Sequence, residues 1–270
     1  MMTDMDMDSK YSTNDLCQMF GVGRETLRHY ENLGLLNPKI NPENGYREYG
    51  YWDIGAMVDV LKYRSVELPL KEVKKAIFEM DFPQIRSALE KQQDMYRESI
   101  RHYQMLEKKT TIDLQYMSAV DIGLGNIVDF PMQECYFQPY GNPQDPDQRL
   151  ILQKVFSNNE FFSTSWIFPE EEEGEVGPRA HIGFLTEKEF ADYLGMTGGI
   201  LVNPTHAAGA VLDITGRDFI LRETFAGFEQ RLQEKYPNTE GGLYAVLMSR
   251  FYDKDEVYHQ YIFACKKLKE

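Results

Sequence analysis

The sequence predicts a multidomain α+β protein: a winged helix-turn-helix over residues 10–81, one long helix over 82–120, and an α+β domain over 121–270. Three observations carry this. Residues 11–51 hold two short helical periodicities across a glycine turn, followed by a hairpin signal bearing Arg and Tyr. Residues 84–120 contain neither glycine nor proline and mix charges of both signs, the composition of a continuous helix. From residue 121 onward short alternating strands are interspersed with helical patterns.

Taken in order, Ser12 or Thr13 followed by Asn14 and Asp15 reads as a helix N-cap with an acidic first turn, and Leu16, Met19 and Phe20 form one apolar face. Gly21 and Gly23 permit a reversal. Leu27, Tyr30 and Leu33 then repeat at helical spacing until Gly34 stops the run. In such a motif the second helix enters the DNA major groove, and its early exposed positions, here Arg24, Glu25 and Arg28, reach the bases. Asn44-Gly45 marks a two-residue hairpin turn flanked by Tyr46, Arg47 and Tyr49, a wing suited to phosphate contact.

These residues resemble the MerR family of transcription regulators. The match rests on Gly21, Leu27-Arg28, Tyr30-Glu31, Gly34-Leu35 and Asn44-Gly45-Tyr46-Arg47 with Tyr49, and it runs to about residue 80. The chain departs from the family pattern at Gly23, Glu25 and His29, where many relatives carry Ser, a basic residue and Tyr. The resemblance implies a DNA-facing set of Thr13, Arg24, Thr26, Arg28, Tyr30, Tyr46, Arg47 and Tyr49. Arg28 and Arg47 are the phosphate contacts expected among them. Leu27, Phe20 and Tyr30 also compete for the core, because a small three-helix unit needs every apolar side chain it has.

The net charge of −14 opposes phosphate binding, but its distribution matters. Residues 10–80 carry 10 Lys+Arg against 10 Asp+Glu, whereas residues 121–270 carry 13 against 24. The reading head is neutral and the acidity is C-terminal, so DNA binding is expected to be markedly salt-sensitive. The acidic, polar start MMTDMDMDSK is no secretory leader, and no apolar run could span a membrane, which predicts a cytoplasmic protein without membrane contact. Cys17, Cys135 and Cys265 are too far apart to form a ligand cluster and read as ordinary buried thiols, and the five histidines show no paired spacing. No metal and no cofactor are expected.

Ile54, Met57, Val58 and Leu61 place a helix behind the wing, and Val73, Ala76 and Ile77 place another after Pro69. In the long helix Ile85, Leu89, Gln92, Tyr96, Ser99, Tyr103, Leu106 and Thr110 alternate at spacings of four and three, a heptad-like seam with several polar members. The family resemblance makes this seam an antiparallel coiled coil between the two subunits of a homodimer. Beyond it, strands are predicted at 127–131, 134–140, 164–168, 181–185, 198–202, 209–214, 243–251 and 257–266. Helices are predicted at 147–156, 187–194 and 219–236, and an acidic solvated loop at 170–175. Two strand-helix-strand groupings of similar order suggest a duplicated module.

By this pattern residues 122–268 resemble the GyrI-like effector-binding domain of drug-responsive MerR regulators. That resemblance implies a cleft lined by aromatic rings that accepts a small lipophilic aromatic ligand, cationic or neutral. Its candidates here are Tyr140, Trp166, Phe168, Phe184, Phe219, Tyr244, Tyr258 and Tyr261. Multidrug-binding relatives carry a buried glutamate just after a tyrosine on the first closing strand, where this chain has Ala245 after Tyr244. Glu134, Asp213 and Glu229 are the substitutes available, or the ligand is neutral. The function so implied is ligand-responsive activation of transcription, with double-stranded promoter DNA and RNA polymerase as partners and the DNA distorted so that the promoter elements realign. Two other readings stay open: a GyrI-like small-molecule hydrolase using a pocket glutamate such as Glu134, and a ligand-independent architectural repressor.

Overall fold

The computed structural model describes residues 9–170, 180–196, 198–202 and 206–269. The predicted acidic loop lies outside the described residues from position 171 on, as do the first eight residues of the polar start. The chain divides into two compact units, residues 1–101 and 102–270.

In the first unit α1 (Thr13–Phe20) starts on a capping box: the Ser12 hydroxyl accepts from the Asp15 amide, and the Asp15 carboxylate accepts from the Ser12 amide at 2.7 Å. Gly21, at φ +65°, turns the chain toward α2 (Arg24–Asn32). That helix ends in a Schellman motif, the Leu35 amide donating to the Tyr30 carbonyl and the Gly34 amide to the Glu31 carbonyl, with Gly34 at φ +70°. Strands β1 (Lys39–Ile40) and β2 (Arg47–Glu48) pair antiparallel to form the wing. Its connection is not the two-residue turn predicted at Asn44-Gly45 but the six residues from Asn41 to Tyr46. Asn41 organises this loop: its side-chain oxygen accepts from the Glu43 and Asn44 amides and its carbonyl accepts from the Gly45 amide, bonds a two-residue turn could not hold. Helices α3 (Tyr51–Ser65) and α4 (Leu70–Phe78) close a core of Leu16, Leu27, Tyr30, Leu35, Leu36, Tyr49, Met57, Val60 and Val73.

Helix α5 (Phe82–Ser118) runs unbroken for 37 residues, about 55 Å at 1.5 Å per residue. Its two halves differ. Between 82 and 101 it exposes Phe82, Leu89, Met95 and Ile100, whereas beyond 102 Leu106, with Met105 and Ile112, packs against Phe161, Phe162 and Phe190 of the second unit. The C-terminal end of the predicted seam is therefore sheltered within its own chain.

The second unit is one antiparallel eight-stranded sheet in the order β3-β8-β10-β9-β5-β6-β4-β7. Its strands are β3 (Val128–Phe130), β4 (Cys135–Pro139), β5 (Ser163–Phe168), β6 (His181–Glu187), β7 (Ile200–Val202), β8 (Ala207–Thr215), β9 (Thr239–Tyr252) and β10 (Tyr258–Leu268). With α6 (Pro146–Ser157) and α8 (Ala226–Lys235), the groups β4-α6-β5-β6 and β8-α8-β9-β10 repeat one βαββ order. They meet where β5 pairs β9, so the strand order on one side mirrors that on the other. The duplication read from the sequence thus has a fourth element per repeat. A short α7 (Lys188–Tyr193) follows β6, and the predicted helix at 219–236 begins only at Ala226, after a single 3-10 turn at Arg222–Phe225.

Phe225, Phe228 and Leu232 cover one face of this sheet, over Trp166, Phe168, Leu243, Ala245 and Ala264. At Gly183 on β6 an added Cβ would lie 2.3 Å from the Gln138 carbonyl oxygen and 2.7 Å from the Phe137 ring. Gly183→Ala is therefore expected to destabilise this unit by about 1–3 kcal/mol through overpacking, read as a lowered midpoint in urea unfolding of the full chain. An unchanged midpoint would mean that the Gln138 carbonyl and the Phe137 ring both move aside at no cost.

Candidate functional site

The first candidate surface is the α2–wing face of the head. Glu31 on α2 ties it together: its carboxylate accepts from the Tyr49 phenol at 2.5 Å and from Arg47 Nε at 2.9 Å. Tyr49 is fully buried, and burial first, then the hydrogen bond to Glu31, push its phenol up to about 12, so it donates as a neutral group. Thr13 adjoins the same phenol. Two of the predicted DNA-facing residues are thus structural. Tyr30 and Tyr49 are core side chains of a unit too small to spare them, and neither presents a surface. Arg24, Arg28, Tyr46 and Arg47 are exposed, and Thr26 is half-buried. Arg28 lies 3.6 Å from Glu25 one turn earlier, a solvent-exposed pair of little strength.

The second candidate is a cavity of ≈ 320 Å³ within the C-terminal unit, between the C-terminal half of α5 and the sheet face opposite α8. Strand register defines that face. Cys135 pairs with Glu187, Ser163 with Leu185, Ile167 with Tyr244, Ser165 with Val246, and Val246 with Phe263, so these side chains share one side. All of them line the cavity, with Phe130, Met132 and Met248. Helix α5 contributes Lys109, Asp113, Tyr116 and Met117, and the Tyr116 ring lies 5.8 Å from that of Phe263.

The charged groups of this wall are Lys109, Asp113, Glu160 and Glu187, of which Lys109 and Glu187 are deeply placed. Glu187 is 8 % exposed, and its carboxyl is pushed above the ordinary range by burial, an effect opposed chiefly by the charge of Lys109. No described residue forms an ion pair with it. Lys109, itself only 6 % exposed, pairs with Asp113 one turn on. The Ser165 hydroxyl is buried with no hydrogen-bond partner among the described residues. Cys135 and Cys265 line the same wall, and burial pushes both thiols up to about 12, which makes them inert rather than nucleophilic. Among the described residues no group of His, Cys, Asp and Glu is arranged to hold a metal.

Of the predicted ligand residues Tyr244 alone both lies on the cavity face of the sheet and lines the cavity, while Tyr261 shares that face beyond the lining. Trp166 and Ala245 border the cavity from beneath: they pair with each other one position out of step with the lining residues, which puts their side chains among the α8 core. Phe168 belongs to that core as well. Phe184 packs on Phe156 of α6 with Tyr140 beside it, Phe219 is 87 % exposed, and Tyr258 stacks against Arg217. Tyr261 lies edge-on to Phe251, outside the lining. The substitute carboxylates are engaged elsewhere: Glu134 pairs with Lys188, Asp213 with His259, and Glu229 with Arg222. Glu187, Ser165, Phe130 and Phe263 were missed. The signal for Glu187 was present in part, as a charged residue closing an otherwise apolar strand, but it reads equally as the acidic first turn of the next helix.

Residues 11–78 match the family model of the MerR HTH family regulatory proteins. Among curated proteins, the chain is 29% identical over 116 residues to the HTH-type transcriptional regulator SkgA of Caulobacter vibrioides, covering 42% of this chain and 45% of that protein. It is 30% identical over 138 residues to the HTH-type transcriptional activator TipA of Streptomyces coelicolor, covering 51% of each. The chain thus spans about half the length of the curated relatives it matches. The crystal structure of the N-terminal part of the Bacillus subtilis multidrug transporter activator is 29% identical and covers 40% of this chain and 100% of that one. Its TM-score of 0.35 is too low for the superposition to carry an argument.

Proposed function

We propose that the chain is a ligand-responsive MerR-type transcription regulator that binds promoter DNA as a homodimer and activates RNA polymerase by distorting the promoter spacer when a small lipophilic, cationic aromatic compound enters the C-terminal cavity. The observation that carries this reading is one helix, α5, that leaves a helix-turn-helix head of the matched family and ends as a wall of a buried, aromatic-lined cavity. The exposed apolar residues Phe82, Leu89, Met95 and Ile100 on its first half supply the surface an antiparallel partner helix would cover. The mirrored βαββ repeats support assigning the C-terminal unit to the GyrI-like effector domains. Activation requires the ligand to bind the activating state more tightly than the resting state, since equal affinity would shift nothing. The name of one relative, a transcriptional activator, agrees with such a role.

The ligand half is tested by titrating the full chain with lipophilic cations and neutral aromatics while following tryptophan emission. Trp52 is 83 % exposed and Trp166 forms the cavity floor, so saturable quenching of the buried, blue-shifted component is expected with cations. No response to any compound would leave the architectural role. On the DNA half, Arg47→Ala is expected to weaken binding across sequences and to reduce the salt slope of log affinity by about 1 per head, as loss of one phosphate contact does. An unchanged slope would remove Arg47 from the interface and leave it as the partner of Glu31.

A further inference from the structure

The cavity holds a cation of its own, and that residue sits on the helix that leads away from the site. Lys109 has almost no exposure, an unusual position for an ammonium group, and it lines the cavity with Asp113 and Glu187. Lys109 is in direct contact with Asp113, and its charge also acts on Glu187, which has no ion pair of its own among the described residues, so one ammonium is shared between two carboxylates of the wall. Glu160 at the cavity edge adds a third carboxylate against the single ammonium. The buried Ser165 hydroxyl on the same wall has no hydrogen-bond partner among the described residues. The charge count favours a guest with a positive centre, and Glu187 and Lys109, both buried, share the wall it would occupy.

We propose that Lys109 is the resident counter-cation of this cavity and that an organic cation binds by exchange with it, taking over Glu187 and releasing the C-terminal half of α5 from the sheet. This rests on reading the cavity as the ligand site. The exchange gives the ligand the differential contact that switching demands. In the empty form the carboxylates are served by a group on α5, whereas in the filled form they are served by the guest and the helix loses an anchor. The charged and titratable groups that line the cavity with Lys109 are Asp113 and Tyr116 of α5, Cys135 of β4, Glu187 of β6, Tyr244 of β9 and Cys265 of β10, with the exposed Glu160. None but Lys109 is a cation.

The test pairs tetraphenylphosphonium with tetraphenylborate, which share a shape and differ in sign, in calorimetric titrations of the full chain. The wild type is expected to take the phosphonium in preference to the borate. Lys109→Met is expected to raise phosphonium affinity at least tenfold, because the competitor is gone, and this gain should fall below threefold in a Glu187→Gln background. In the wild type, acetic anhydride labelling of Lys109 followed by mass spectrometry should rise several-fold at phosphonium saturation, a readout that needs no variant to fold. Phosphonium binding with unchanged Lys109 affinity and labelling would overturn the exchange and leave the ligand site standing. Equal gains in both backgrounds would assign the effect to Asp113 and overturn it as well. Preference for the borate would make Lys109 an anion receptor instead. Binding of neither ion by wild type or Lys109→Met would overturn both the exchange and the ligand-site reading beneath it.

Discussion

Ala245→Glu is expected to unfold the C-terminal unit rather than to restore a counter-ion to the cavity. Ala245 is fully buried and lies opposite Trp166 on β5 and Ala264 on β10, in the core that Phe225, Phe228 and Leu232 seal from the α8 side. The cavity is on the other face, where Tyr244 and Val246 point. A carboxylate at 245 would meet only methyl groups and rings, and an uncompensated buried charge costs about 3–5 kcal/mol. A domain with a total stability of about 5–15 kcal/mol does not absorb such a loss readily. Protonation would lessen the penalty but leave a glutamic acid side chain in space packed for a methyl group. Urea unfolding of the full chain, followed by circular dichroism, should show the second unit melting at much lower denaturant or not folding at all. A variant with the wild-type midpoint and stronger cation binding would mean that β9 shifts register, and would overturn the assignment of faces.

That one-residue distinction marks the limit of what the sequence made legible. The helices of the head were legible because their signals are local: the Ser12–Asp15 capping box and the Gly34 helix stop need only neighbours within a turn, whereas the wing turn held by Asn41 and the burial of Tyr30 and Tyr49 were not. The order of strands and helices in the second unit was equally local, since alternation and helical period appear in short windows. The cavity was not. Its wall takes residues from β3, β4, β5, β6, β7, β9, β10 and α5, and which face of each strand lines it depends on pairings that no window contains. Choosing aromatics by residue type therefore captured Tyr244 and also residues on the far side, such as Phe168. Lys109 was lost for a different reason: on a helix read as a dimer seam, a lysine is expected in water, and its burial follows only from how the end of that helix packs on its own sheet.

Glu187→Gln is expected to stabilise the protein at neutral pH while weakening its hold on lipophilic cations at least tenfold. Burial holds the Glu187 carboxyl above the ordinary range, against the pull of Lys109, so the folded chain binds this proton more tightly than the unfolded chain does. Its favourable contribution is complete below the unfolded value of about 4.3 and is lost as pH rises through the elevated folded value. Above that window the wild type carries a buried charge that glutamine, of nearly the same volume, does not. Thermal midpoints of the two proteins should therefore coincide in acid and separate as pH rises, with the variant higher by about 2–4 °C for each kcal/mol removed. Binding should move the opposite way. A cation selects the ionised carboxylate and expels its proton, so wild-type affinity climbs with pH over the same window, whereas the variant's stays flat. Calorimetry in two buffers of different ionisation enthalpy would register the released proton directly. If the midpoints track each other at every pH, Glu187 is already neutralised within the fold, and the cavity offers a cation only its rings. If they separate as expected, the protein forgoes stability to keep an unpaired carboxylate ready in its cavity, the trade expected of a binding site and not of a structural core.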